Sequence, residues 1–139
     1  MKKFSSIIIS GALAQDHEFI YPYYRLLEAG SDLDVCLIGG SAVKGFLGTT
    51  LPPNKDHKVK DIDQVDVKDY DLLVLPGGVK AMEKIRQDKR LIKFIADFHN
   101  QNKVIACICS GAQLLISAKI IKGKKIAGYY SMRDDITNA

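Results

Sequence analysis

The apolar positions of the chain fall into blocks that switch between a strand-like and a helix-like period, which predicts strands and helices in alternation. Phe4 to Ser10 is an apolar, isoleucine-rich block, the pattern of a strand buried on both faces of a parallel sheet. Gly11 and Ala12 end it. Phe19, Tyr23, Leu26 and Leu27 then recur at helical spacing, with Gly30 just past the helix end. Pro22 belongs in the first turn of that helix or at a kink. Leu33 to Ile38 predicts a second strand, stopped by Gly39 and Gly40. From Ser41 to Lys68 the pattern breaks into short alternating pieces with Leu51-Pro52-Pro53, so an irregular region with a hairpin or edge strands is expected.

The second half is more regular. Asp71 to Leu75 predicts a buried strand that runs through Pro76, Gly77 and Gly78 into a helix. Asp88 is placed to cap the next helix, whose Leu91, Ile92, Ile95 and Phe98 share a face and which closes at His99 and Asn100. Lys103 to Ile108 predicts another buried strand, followed at once by Cys109-Ser110-Gly111 and an apolar helix from Ala112 to Ala118. A short strand over Ile126 to Tyr130 and a helix opened by Ser131 complete the expectation. The order implies one α/β domain over residues 1–139 with a mainly parallel sheet and helices on both faces.

Composition narrows the class. Apolar residues make up 47% and charged residues 26%, which excludes disorder and collagen-like or disulfide-dense architectures. The net charge of +4 comes from 20 basic against 16 acidic residues that largely alternate, so nucleic-acid binding is not expected. The apolar runs are too short for a membrane span or a signal peptide. The 3 cysteines are an odd number, and Cys107 and Cys109 are separated by one residue, so reduced thiols in a cytoplasmic protein are expected. A metal site on Cys107 and Cys109 would need two more ligands, and no His or Cys has suitable local spacing; neither metal nor cofactor is expected.

In doubly wound sheets ligands bind beyond the carboxyl ends of the strands. Three segments map there: Gln15 to Glu18, Pro76 to Gly78, and Cys107 to Gly111. The last has a glycine two residues after Cys109, as a nucleophile elbow requires, and it sets the thiol at a helix amino end where the thiolate is favoured. The alternative is a small buried cysteine at a strand end. Glu18 either complements a helix dipole or shares a proton with Cys109. His17 is an accessory base or a surface histidine. Gly77 and Gly78 either form an ordinary turn or give backbone N–H groups to an oxyanion. Cys36 reads as core and Cys107 as packing.

The combination Glu18-Phe19-Ile20-Tyr21-Pro22, Leu75-Pro76-Gly77-Gly78, Ile105 to Gly111 and Asp134 to Ala139 resembles the ThiJ/PfpI superfamily, which spans PfpI-type intracellular peptidases and deglycases. The resemblance implies a flavodoxin-like three-layer sandwich of the class I glutamine amidotransferase-like type. It also implies a reactive Cys109, a Glu18 whose protonated carboxyl hydrogen-bonds the Cys109 thiolate, oxyanion donors from Gly77, Gly78 and Ser110, and a homodimer or higher homo-oligomer. The function it implies is a cysteine-dependent hydrolase or lyase acting on a small-molecule carbonyl substrate or a glycated protein. A redox sensor or stress chaperone with an oxidisable Cys109, and a PfpI-type peptidase, are the alternatives. The chain departs from the family in two places. Ser110 stands where peptidase members carry histidine, and the chain stops at Ala139, before the strand pair and helix that usually follow. A C-terminally short domain with an open apolar face is therefore expected. Amidotransferase chemistry itself is discarded, because its histidine and glutamate lie late in the chain and no histidine follows His99.

Overall fold

The computed structural model describes residues 2–139, so residue 1 of the expected domain lies outside the described residues. Five strands form the central sheet: β1 (Ser5–Ser10), β2 (Asp32–Leu37), β5 (Val59–Lys60), β6 (Leu72–Leu75) and β7 (Val104–Cys107). They lie in the order β5-β2-β1-β6-β7, and every pairing is parallel. β3 (Val43–Lys44) and β4 (Thr50–Leu51) make a separate antiparallel hairpin, within the region expected to be irregular. Ile7, Ile8 and Ile9 are all fully buried, which is why β1 shows no alternation: it is the middle strand and both its faces are covered.

The chain winds outward from β1 to β2 and β5, then returns across β1 to β6 and β7. Right-handed crossovers put α1 (Asp16–Glu28) on one face and α2 (Val79–Ile85) and α3 (Lys89–Asn100) on the other. α4 (Ala112–Ser117) packs against α2 and α3. The result is the expected flavodoxin-like α/β sandwich, with its switch point between β1 and β6. One continuous core runs through it, from Phe19 and Tyr23 of α1 through the strands to Leu91, Ile95 and Phe98 of α3. No helix among the described residues is long and apolar enough to cross a membrane.

Of the two expected places for Pro22 the first turn is ruled out: it sits inside α1, and the helix runs on past a residue that cannot donate to the carbonyl of Glu18. Three local expectations are corrected. β7 is not buried on both faces: Val104 is 64% exposed and Ala106 is also exposed, because β7 is an edge strand paired only with β6. Ile126 to Tyr130 is no strand; Cys107 Sγ lies 3.8 Å from the Ala127 carbonyl oxygen, the extended Tyr129 donates its N–H to the Cys109 carbonyl at 3.3 Å, and Tyr130 already begins a 3-10 turn. The last helix, α5 (Arg133–Asn138), opens from a 3-10 turn at Tyr130–Met132 without a side-chain cap, so Ser131 does not start it.

Polar groups fasten the amino-terminal half of the sheet. Asp34 of β2 accepts from Lys60 Nζ at 2.6 Å and from Tyr70 Oη at 2.7 Å. Burial alone would raise its pKa, but these two donors outweigh it and hold the carboxyl below the ordinary 3.8. A carboxyl depressed by folding stabilises the native state above its ordinary pKa, and that contribution is lost as pH falls through the folded value. The melting temperature is therefore expected to drop between neutral pH and pH of about 3, and to drop less in Asp34→Asn. Thermal melts followed by circular dichroism at the two pH values check this, and equal drops in both proteins would refute it.

Candidate functional site

The site gathers at the carboxyl ends of β1, β6 and β7, beside the switch point. After β6 the chain turns at Pro76-Gly77-Gly78, and after β7 it turns at Cys109. Cys109 has φ 54°, a left-handed backbone that a residue other than glycine adopts only under strain. The strain is held from both sides: the Ile108 N–H donates to the Leu75 carbonyl at 3.1 Å, and the Gly111 N–H donates to the Ile108 carbonyl at 2.8 Å. A Cβ on Gly111 would come within 2.4 Å of the Leu75 carbonyl oxygen, so the residue two after the cysteine must lack one. This is the elbow that the spacing predicts.

Glu18 is brought to the elbow by a clasp between two strand ends. The Gly77 N–H donates to Glu18 Oε2 at 2.7 Å, and the Gln15 N–H donates back to the Gly77 carbonyl at 3.1 Å. Gln15 also caps α1, its Oε1 accepting from the N–H groups of His17 and Glu18. The approach is too close for a side chain: a Cβ on Gly77 would fall 2.5 Å from Glu18 Oε2 and 2.8 Å from the Ser110 nitrogen. Gly77 therefore differs from its expected role. Its N–H is committed to Glu18 and serves as that residue's anchor, which leaves Gly78 and Ser110 as the expected oxyanion donors that line the cavity with Cys109.

Burial pushes the half-buried Cys109 thiol above its ordinary pKa; a hydrogen bond with Ser110 acts against the rise, and the facing Glu18 carboxylate adds to it. Against these stands the helix end expected to favour the thiolate: Cys109 opens the 3-10 turn Cys109–Gly111 that runs into α4, a helix of only 6 residues. The other cysteines divide as expected. Cys36 is fully buried and its thiol is pushed up to about 12, chiefly by burial. Cys107 packs at the edge of the sheet with its Sγ 3.8 Å from the Ala127 carbonyl oxygen.

A cavity of about 380 Å³ opens beside the Cys109 sulfur, lined by Leu13, Phe46, Val79 and Tyr129 with Gln15, Gly78, Lys80 and Ser110. The apolar members were not among the residues read from the sequence. Phe46 and Leu47 stand between Gly45 and Gly48 in the irregular region, the one sequence signal that could have found them. His17 is exposed, bonded to Gln15, and not among the cavity-lining residues. No group of three or more His, Cys, Asp and Glu that could hold a metal occurs among the described residues.

A family model described as the DJ-1/PfpI family matches residues 5–139. The chain belongs to the DJ-1/PfpI family. Deglycase PfpI of Pyrococcus furiosus is 33% identical over 133 residues, covering 96% of this chain and 76% of that protein. Protein/nucleic acid deglycase 2 of Escherichia coli is 34% identical over 140 residues, 100% of this chain and 78% of that protein. Among solved structures, Drosophila melanogaster DJ-1beta superposes with a TM-score of 0.87 at 25% identity, covering 99% of this chain and 72% of that one.

If the Glu18 charge opposes ionisation of Cys109, Glu18→Gln lowers the apparent pKa of the thiol. The pH dependence of iodoacetamide alkylation at Cys109, read by mass spectrometry, is expected to shift its midpoint downward. An unchanged or higher midpoint would remove Glu18 from the thiol's electrostatics.

Proposed function

We propose that the protein is a cysteine-dependent enzyme of the deglycase type, acting on 2-oxoaldehydes or the adducts they form with amines and thiols. The observation that carries this reading is the strained Cys109 elbow with a Glu18 carboxylate near enough to act on the thiol's ionisation and directed by the Gly77 N–H at 2.7 Å. The names of the Pyrococcus and Escherichia relatives support the substrate class.

Cys109 Sγ attacks the aldehyde carbon, the carbonyl electron pair moves to oxygen, and the thiol proton passes through Glu18 to that oxygen. The product is a hemithioacetal. The Gly78 and Ser110 N–H groups are the donors available to the oxyanion as it forms. Glu18 next takes the proton from the former aldehyde carbon and returns it to the neighbouring ketone carbon through an enediol, leaving a thioester. Water cleaves the thioester, releases a 2-hydroxy acid and restores the thiol. The balance is one water added per oxoaldehyde, with no oxidant or reductant. With an adduct as substrate, the C–N or C–S bond breaks first as the hydroxyl proton passes to the departing amine or thiol, and the aldehyde so released is captured by Cys109.

Amide hydrolysis fits less well. The leaving amine needs a general acid, Ser110 follows the nucleophile where peptidase relatives have histidine, and His17 stands outside the cavity lining.

Purified protein given methylglyoxal, with the hydroxy acid followed by NMR, tests the proposal. Cys109→Ala is expected at the uncatalysed background. Glu18→Gln is expected to lose at least about 100-fold in kcat, the usual scale for a general acid-base group, although its thiol ionises more readily. Turnover that survives Cys109→Ala sinks the proposal. Absence of turnover together with sulfinic acid at Cys109 under mild peroxide assigns the thiol to redox sensing instead.

A further inference from the structure

Four large apolar side chains stand in water around the candidate nucleophile: Leu13 at 41% exposure, Phe46 at 60%, Val79 at 51% and Tyr129 at 44%. Grouped exposure of this kind marks a binding surface rather than chance, because isolated apolar residues scatter. The cavity they line measures about 380 Å³. Pockets of about 300–1,000 Å³ take drug-sized ligands, so a three-carbon dicarbonyl would leave most of this one to water.

Phe46 is exposed but its backbone is not loose. The Phe46 N–H donates to the Ala14 carbonyl at 2.8 Å, and the Leu13 N–H donates to the Lys44 carbonyl at 2.8 Å, so the loop is stitched to the chain leaving β1. Asp16 completes the attachment. Its side chain lies in a residue only 2% exposed, and its two oxygens accept from the N–H groups of Leu47 at 2.7 Å and Thr49 at 3.0 Å. The fit leaves no room at the loop's first residue, since a Cβ on Gly45 would fall 2.3 Å from Asp16 Oδ1. Glu18 and Asp16 lie in the same first turn of α1, so one helix end fixes both the proton-handling carboxylate and the apolar wall.

We infer that the site selects 2-oxoaldehydes, free or as adducts, that carry an apolar substituent of about the size of a phenyl ring, with Phe46 as a specificity-determining residue and Asp16 as the positioning residue that holds it. The inference rests on the reaction proposed above. The reacting carbonyl meets Cys109 while the substituent lies against Phe46, Leu13, Val79 and Tyr129. Binding there replaces water on apolar surface, which favours the larger substrate in kcat/KM.

The experiment compares kcat/KM for phenylglyoxal and methylglyoxal, with Cys109→Ala as the blank for reaction with arginines. Wild type is expected to favour phenylglyoxal by tenfold or more, on the scale of about 10–200-fold that small apolar differences give in hydrophobic pockets. Phe46→Ala is expected to lower that ratio by about tenfold, with Phe46→Leu restoring part of it. Asp16→Asn leaves one loop N–H facing an amide NH₂, and it too is expected to lower the ratio, mainly through KM for phenylglyoxal. Leu27→Ala, an exposed apolar residue on α1 away from the cavity, is expected to leave the ratio unchanged. A wild-type ratio near one, or a ratio indifferent to Phe46→Ala, overturns the inference while the proposed reaction stands. No turnover of either substrate overturns the proposed reaction itself. A ratio near one in a protein that is dimeric by sedimentation, and monomeric as Phe46→Ala, assigns the apolar patch to a second copy and overturns the inference as well.

Discussion

The Gly77 N–H donating to Glu18 ties the first turn of α1 to the end of β6, and the geometry of the site follows from that tie. Glu18 is near the start of a helix on one side of the switch point, whereas Gly77 lies in the turn after the strand on the other side. A parallel sheet brings the two carboxyl ends together but does not align side chains across them. The clasp does so, and it demands glycine because any Cβ at position 77 would strike the carboxylate and the Ser110 nitrogen. Ser110 in turn lies one residue after the strained Cys109. Nucleophile, carboxylate and candidate donors are thus fixed by one small crossing of chains, with the glycine turn as its centre.

The same helix end does a second structural task. Gln15 caps the helix, Asp16 accepts from two N–H groups of a remote loop, and Glu18 accepts from Gly77 beside the thiol, so three polar side chains within one turn serve helix, loop and site. Acidic residues suit this place for a general reason: the amino end of a helix presents unpaired N–H groups and positive potential. Burial pushes the Asp16 pKa upward, but the Leu47 and Thr49 N–H groups outweigh it, and the net effect is downward. The carboxylate can therefore remain charged where it is nearly fully enclosed, and the loop it holds stays in place.

The strands and long helices were legible in the sequence because their signals are local. The isoleucines of β1, the capping Asp88 and the one-sided apolar face of α3 each need only their neighbours along the chain. The elbow at Cys109 was legible for a similar reason, since small residues at fixed offsets are a requirement of its backbone. What the sequence left hidden depends on the third dimension. Val104 and Ala106 carry the same apolar signal as interior strand residues, and only the strand order shows β7 to be an edge. The Gly77 N–H meets a carboxylate from the far side of the switch point, a contact between residues distant along the chain. The Asp16 contact joins residues about thirty positions apart, and no periodicity records such a contact.

A carboxylate beside Cys109 discourages the thiolate on which the proposed attack depends. On the proposed reaction this opposition is useful. A standing thiolate beside an apolar cavity is open to any oxidant or alkylating agent that enters, whereas a thiol whose proton leaves only as the carbonyl oxygen accepts it reacts chiefly with the electrophile it is bound to. Glu18 is held on one oxygen by Gly77, so its other oxygen is the one left to pass the proton. The cost is a smaller resting thiolate population; the gain is that ionisation, attack and oxyanion formation become one coupled event. The apolar walls act in the same direction. As substrate displaces water from them, the local dielectric falls, and the interactions that move the proton gain strength at the moment the carbonyl carbon comes within reach of the sulfur.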